Sequence, residues 1–134
     1  MRRAAGPNIL FVFADQLRGS SLGHVGQEPV LTPNLDAFAS QGVRFTRAVA
    51  NVPLCSPMRA SLITGQYPLT HGVIANDIPL RTDTPSIAKS LRAIGYDTGY
   101  IGKWHIDLPD RTCFIPPGPR RQGFEFWASC QFSH

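Results

Sequence analysis

Pro53-Leu54-Cys55-Ser56-Pro57-Met58-Arg59-Ala60-Ser61-Leu62-Ile63-Thr64-Gly65 is the most informative stretch of this sequence. Residues 57–64 read as a helix that opens on a proline and is closed by Gly65. Cys55 then sits just before the helix, and Arg59 lies one turn inside it. The guanidinium and the first-turn N–H groups both favour an anion at such a mouth. A phosphatase that attacks phosphate with a thiol has a comparable layout, but its loop needs a longer spacer than the three residues between Cys55 and Arg59. The other reading of Cys55 is a thiol packed beside a helix start, which is how most free cysteines are used.

The flanking segments supply a fold class. Residues 8–14 form a continuous apolar run rich in β-branched and aromatic side chains, ending at Asp15. Such a run suits a strand buried on both faces of a parallel sheet, with Asp15 at its carboxyl end. Thr32 precedes Pro33, apolar residues follow at helical spacing, and Gly42 ends the pattern, which predicts a short helix. Residues 43–49 alternate as a second strand would. Residues 84–94 predict another helix, with Pro85 near its start, Ile87, Ala88, Leu91 and Ile94 on one face, and Gly95 as its stop. Residues 96–101 return as a strand that leads to Lys103, and residues 124–127 are the last clear element. Strands alternating with single helices indicate an α/β sheet, in which ligands collect beyond the carboxyl ends of the strands.

Composition narrows the function classes. The 134 residues make one domain at most, and 13 basic against 9 acidic residues give a formal charge of +4. Arg2, Arg3, Arg120 and Arg121 account for that surplus, so no basic stripe points to nucleic acid. Only 16% of the chain is charged, 43% is hydrophobic, and 12 Gly and 12 Pro imply many turns and few long helices. Disorder, coiled coil and collagen are excluded. Cys55, Cys113 and Cys130 are too few and too scattered for a disulfide framework or a zinc ribbon. The start resembles a signal peptide only superficially, because Pro7 and Asn8 interrupt the run after Arg2 and Arg3, and Asp15 closes it early. No apolar run approaches the ~20 residues of a membrane helix. The expectation is a soluble, cytoplasmic chain as written; a periplasmic or secreted location follows if the true start lies upstream.

The stretch around Cys55 resembles the activation signature of the type I sulfatases, Cys-x-Pro-x-Arg followed by a short apolar helix and Thr-Gly, matched here by Cys55, Pro57, Arg59, Thr64 and Gly65. A second signature of that family appears as Gly95-Tyr96-Asp97-Thr98-Gly99-Tyr100-Ile101-Gly102-Lys103-Trp104-His105. The family also opens with a strand ending in metal-binding residues, matched by Asp15 and Gln16. The resemblance implies the N-terminal part of an alkaline-phosphatase-like α/β/α sandwich, with residues 1–134 one portion of the catalytic domain and the rest absent. It further implies that the chain alone is inactive and binds metal weakly.

By this resemblance Cys55 is oxidised by a formylglycine-generating enzyme to an aldehyde, whose hydrate carries two hydroxyls on one carbon. One attacks the sulfur of a sulfate ester; the second, deprotonated, expels inorganic sulfate and restores the aldehyde. Arg59 is implied to hold the hydrate, Lys103 to bind sulfate oxygens and His105 to stabilise or deprotonate the second hydroxyl. Asn76 is implied to face the substrate, although an Asn before Asp77 serves equally as a turn. Asp15, Gln16 and the converted Cys55 are implied ligands of a divalent cation, calcium, which polarises the sulfate. The substrate implied is a sulfate ester, with a sulfated carbohydrate as the leading choice.

Two departures from the family pattern matter. Gln16 stands where many sulfatases have a second Asp, a variant similar to choline and carbohydrate sulfatases and to phosphonate monoester and phosphodiester hydrolases. Those last enzymes generally lack the Lys-x-His pair, so Lys103 and His105 favour sulfate over phosphonate. Met58 is bulkier than the residue common at its place, but the pattern requires only Cys, Pro and Arg. Gly102-Lys103 is no nucleotide loop, because position 97 is Asp and Trp104 replaces the hydroxyl residue. His71 reads as a packing histidine, while His24 and His134 carry no signal.

Overall fold

The structure, a computed structural model, describes residues 6–107 and 114–131. Cys113 and His134 lie outside the described residues. Contacts divide the chain into two compact units, one of Asn8–Val49 and one of Ala50–His134 with Met1–Pro7.

In the unit Asn8–Val49 the single α-helix is α1, Pro33–Gln41, with Thr32 as its N-cap residue and Gly42 as its C-cap residue. That agrees with the sequence reading. A 3₁₀ turn, Gly23–Val25, packs beside it. The strands expected at residues 8–14 and 43–49 do not form: both segments are irregular, and Leu10, Val12, Val43 and Phe45 are exposed. A strand is a pairing rather than a composition, and neither segment finds a ladder partner among the described residues. No described residue of this unit is buried. Carboxylates organise it instead. Asp36 Oδ1 accepts from the His24 backbone N–H at 2.8 Å and from the Thr32 hydroxyl at 2.8 Å, and Glu28 accepts from Ser20, Ser21 and Arg18.

The larger unit holds α2, Cys55–Thr64; α3, Pro68–His71; α4, Ile87–Ala93; and strands β1, Gly99–Lys103, and β2, Phe126–Cys130. The strands pair in parallel, in a register that runs from Gly99 opposite Phe126 to Lys103 opposite Cys130. β1 therefore begins later than the sequence suggested and includes Lys103 itself. α2 begins earlier than the expected 57–64, so Cys55 is its first residue rather than lying outside it. α4 is shorter than the expected 84–94. Ser86 caps it by accepting the Lys89 N–H at 3.2 Å, and Pro85, just before the cap, has no N–H to donate to a helix ladder.

The core gathers α2 against the segment that follows β1. Ala60 and Ile63 of α2 meet Val73, Leu80, Trp104, Ile106 and Ile115, with Tyr100, Phe124 and Trp127 packed against them. Tyr100 sits edge-on to Trp104 at 4.8 Å and stacks on Trp127 at 5.5 Å, and Trp104 meets Trp127 edge-on at 4.9 Å. Each such pair contributes ~0.5–1.5 kcal/mol beyond its burial. Of the four arginines behind the net charge, Arg2 and Arg3 lie outside the described residues, and Arg120 and Arg121 are not a free surface patch. Arg120 pairs with Asp107 at 2.7 Å, and buried Arg121 donates to the Ile115 carbonyl at 2.6 Å with its guanidinium over Trp127. Gly102, at φ 105, turns the chain in the left-handed region immediately before Lys103, which a side chain there would strain.

Candidate active site

The site is assembled where the first turn of α2 meets the carboxyl end of β1. Ser56 and Arg59 stand three residues apart on α2 and therefore share a face. That face grips the backbone of the strand end. The Ser56 hydroxyl donates to the His105 carbonyl at 2.6 Å, and the Arg59 guanidinium donates to the Lys103 carbonyl at 2.6 Å. The Tyr100 hydroxyl donates to the same Lys103 carbonyl at 2.6 Å and accepts from Arg59 at 3.4 Å. Trp104 N–H donates to the Cys130 carbonyl, and Leu80 N–H to the Ile106 carbonyl. Residues 103–106 are thus fixed from four directions.

From that fixed strand end the Lys103 ammonium reaches the Cys55 sulfur at 3.5 Å. Lys103, Arg59 and His105 are buried, whereas Cys55 is half-buried and so accessible. His105 lies 3.8 Å from the Asp77 carboxylate, a distance for charge attraction rather than a hydrogen bond. Burial holds the His105 pKa below its ordinary 6.5, the Lys103 and Arg59 charges push the same way, and Asp77 opposes them. A neutral imidazole, able to take a proton, results at neutral pH. Burial raises the Tyr100 pKa against the pull of Arg59, so its phenol stays protonated and remains a donor.

The helix mouth differs from the sequence expectation in one respect. Pro57 has no N–H, the Met58 N–H is held by Leu54 O, and the Ser56 N–H donates to Asn76 Oδ1 at 3.0 Å. These backbone donors are already engaged, and the cation shown at Cys55 is the Lys103 ammonium. Asn76 acts as a cap supplied from a distant loop, because Leu54 offers no side-chain cap. His71 is a packing histidine as expected. The Val73 N–H donates to its Nδ1 at 3.1 Å, so Nε2 carries the proton toward Ser61 Oγ at 3.0 Å.

Five of the residues singled out from the sequence, Cys55, Arg59, Lys103, His105 and Asn76, belong to one compact unit; Asp15 and Gln16 belong to the other. Gln16 has φ 58, as Asp77 has φ 63 and His105 φ 54. Left-handed backbone at non-glycine residues is costly and tends to accumulate at functional sites. The Asp15 carboxylate and Gln16 amide are adjacent oxygen donors of the kind a hard divalent cation takes. Among the described residues no group of three or more His, Cys, Asp or Glu could hold a metal, so this pair would be only part of a site. Ser56, Tyr100 and Asp77 were not legible as site residues. Ser56 occupies an unspecified place in the motif, and the contacts of Tyr100 and Asp77 exist only after folding.

The chain matches the Sulfatase family over residues 7–132. It belongs to the sulfatase family, and its fold is the mixed α/β of the sulfatase and phosphonate hydrolase structures. The Ulvan-active sulfatase of Formosa agariphila is 46% identical over 128 residues, covering 96% of this chain and 25% of that protein. The crystal structure of yidJ from Bacteroides fragilis aligns with a TM-score of 0.89 at 35% identity, covering 99% of this chain and 33% of the other. The phosphonate monoester hydrolase of Agrobacterium radiobacter aligns with a TM-score of 0.70 at 37% identity, covering 87% and 24%. The chain thus spans about a quarter of the length of the curated relatives it matches. Among the described residues no helix is long and apolar enough to cross a membrane.

Proposed function

We propose that this chain carries the nucleophile side of the active site of a sulfuric ester hydrolase and forms a portion of its catalytic domain. The observation that carries this reading is the Lys103 ammonium 3.5 Å from Cys55 Sγ, on a strand end held by Arg59. Conversion of Cys55 by a formylglycine-generating enzyme would supply an aldehyde hydrate, a nucleophile that an unconverted thiol cannot replace.

This chain's own residues do the rest. Lys103 binds the oxygens of the ester sulfate and offsets the charge that develops there. Arg59 fixes the strand end and adds positive potential beneath Cys55. His105, neutral because it is buried between cations, takes a proton from the second hydroxyl. Asp77 limits how far its basicity falls. Asn76 caps α2 and stands beside Cys55 at the mouth facing substrate. Asp15 and Gln16 would hold part of a divalent cation site, calcium in this reading. The ion would supply Lewis-acid polarisation of the sulfate when bound. For the alcohol we propose a sulfated carbohydrate, supported by the relative named as ulvan-active. Sulfate is favoured over phosphonate by the presence of both Lys103 and His105.

The test begins with the mass of the tryptic peptide 48–59 from protein produced beside a formylglycine-generating enzyme. An aldehyde at Cys55 is expected. An unmodified thiol, next to a control substrate that converts, would overturn the mechanism. Turnover of a phosphonate monoester in preference to an aryl sulfate by a matured version spanning the full length of its relatives would overturn the substrate class.

A further inference from the structure

We propose that Tyr100 is a positioning residue for Lys103, acting through the two-donor clamp that its hydroxyl and Arg59 form on the Lys103 carbonyl. The inference deepens the reading above and rests on Lys103 being the cation that faces the nucleophile. Sequence alone gives Tyr100 no role, since it falls between Gly99 and Ile101 inside a strand, where aromatic residues are common for packing reasons.

The geometry separates the ring from its hydroxyl. The ring is fixed by Trp104 at 4.8 Å, Phe124 at 5.3 Å and Trp127 at 5.5 Å. The hydroxyl leaves that apolar cluster and donates to the Lys103 carbonyl at 2.6 Å, where Arg59 Nη1 also donates at 2.6 Å. Arg59 reaches the Tyr100 hydroxyl as well, at 3.4 Å, so the three groups close a triangle. A carbonyl has two lone pairs, and here they face two donors, buried Arg59 and half-buried Tyr100. The peptide that carries Lys103 therefore has little freedom to rotate. Gly102 immediately before it, at φ 105, would otherwise allow such rotation. The clamp restores at the lysine the rigidity that the glycine removes, and it fixes the backbone of the residue whose ammonium stands 3.5 Å from Cys55 Sγ.

Two measurements test this, one of them independent of any sulfatase activity. In protein made without the formylglycine-generating enzyme, iodoacetamide alkylation of Cys55 is followed on peptide 48–59. The Lys103 ammonium contacts the sulfur that attacks the reagent, at 3.5 Å, so Lys103→Met, which removes that contact, is expected to slow alkylation. Tyr100→Phe, which keeps the ring, is expected to slow it in the same direction, and the double variant to be no slower than Lys103→Met alone. Phe124→Leu, which loosens the ring cluster and keeps the hydroxyl, is expected to lower Tm and leave the alkylation rate unchanged. In a matured version spanning the full length of its relatives, Tyr100→Phe is expected to lower kcat for 4-nitrophenyl sulfate by about 10- to 100-fold, as small misplacements of a catalytic group do.

Unchanged alkylation in Tyr100→Phe, independent effects that multiply in the double variant, or a Tyr100→Phe protein that no longer folds would each overturn the proposal. A version spanning the full length of its relatives that alkylates as expected but does not turn over sulfate esters once matured would instead overturn the sulfatase reading and leave the clamp standing.

Discussion

Ser56 and His105, 49 residues apart, are joined by a hydrogen bond of 2.6 Å from the serine hydroxyl to the histidine carbonyl. His105 has φ 54, a left-handed conformation that a β-carbon makes costly. The bond holds that conformation in place from the first turn of α2, so the residue beside the nucleophile also sets the backbone under the proposed base. Ser56→Ala keeps the Cys, Pro and Arg of the activation motif and removes only this bond. The expected cost is ~1–3 kcal/mol, because a buried carbonyl loses its partner. Urea denaturation reads it, and a change within ~0.5 kcal/mol would show the bond to be dispensable.

Asn76 offers a sharper choice between roles. Its Oδ1 accepts the Ser56 N–H at 3.0 Å, so Asn76→Ala should destabilise the fold by ~0.5–2 kcal/mol, the usual cost of losing a helix cap. Asn76→Asp keeps the acceptor and adds a negative charge at a helix N-terminus, and should retain stability. Thermal unfolding of the two variants decides. Equal Tm values in Asn76→Ala and the parent would leave substrate contact as its only role.

His71 gives the fold a pH dependence of known sign. Burial lowers its folded pKa below the ordinary 6.5, and protonation of Nδ1 would break the bond from the Val73 N–H. Below that ordinary value the unfolded chain binds the proton more readily than the folded one. Stability is therefore complete above about pH 6.5 and falls as pH drops below it. His105 adds to the same trend, since its pKa is also lowered. Glu28 and Asp36, whose carboxyl pKa values are lowered by hydroxyl hydrogen bonds, lose their contribution only at more acidic pH. A Tm that stays level or rises between pH 7 and about pH 5.5 would contradict this account.

Gly123 marks a close approach of one backbone segment to another in the larger unit. A β-carbon there would stand 2.7 Å from the Lys89 backbone nitrogen, and the residue has φ 96. Gly123→Ala must move α4 away from the segment leading into β2, and both strain and overpacking oppose it, at a cost of ~1–3 kcal/mol. Circular dichroism melting checks the size. A Tm equal to the parent's would mean that the α4 contact yields freely.

The sequence by itself determined α1, most of α2 and the family. α1 and α2 follow from local signals, a proline at the first turn and a glycine at the end, which act within a few residues and need no partner. The two signatures around Cys55 and Lys103 were legible because side-chain chemistry is written in residue type and spacing. Only the tertiary structure decided the rest. Residues 8–14 and 43–49 read as strands by composition yet have no ladder, since pairing depends on segments far away in sequence. It also decided that Arg59 holds a backbone carbonyl, that Asn76 caps a helix, and that Ser56 and Tyr100 fix the residues on either side of Trp104. Hydrogen bonds of a few ångströms between residues tens of positions apart leave no periodicity in the chain, and only folding brings their donors and acceptors together.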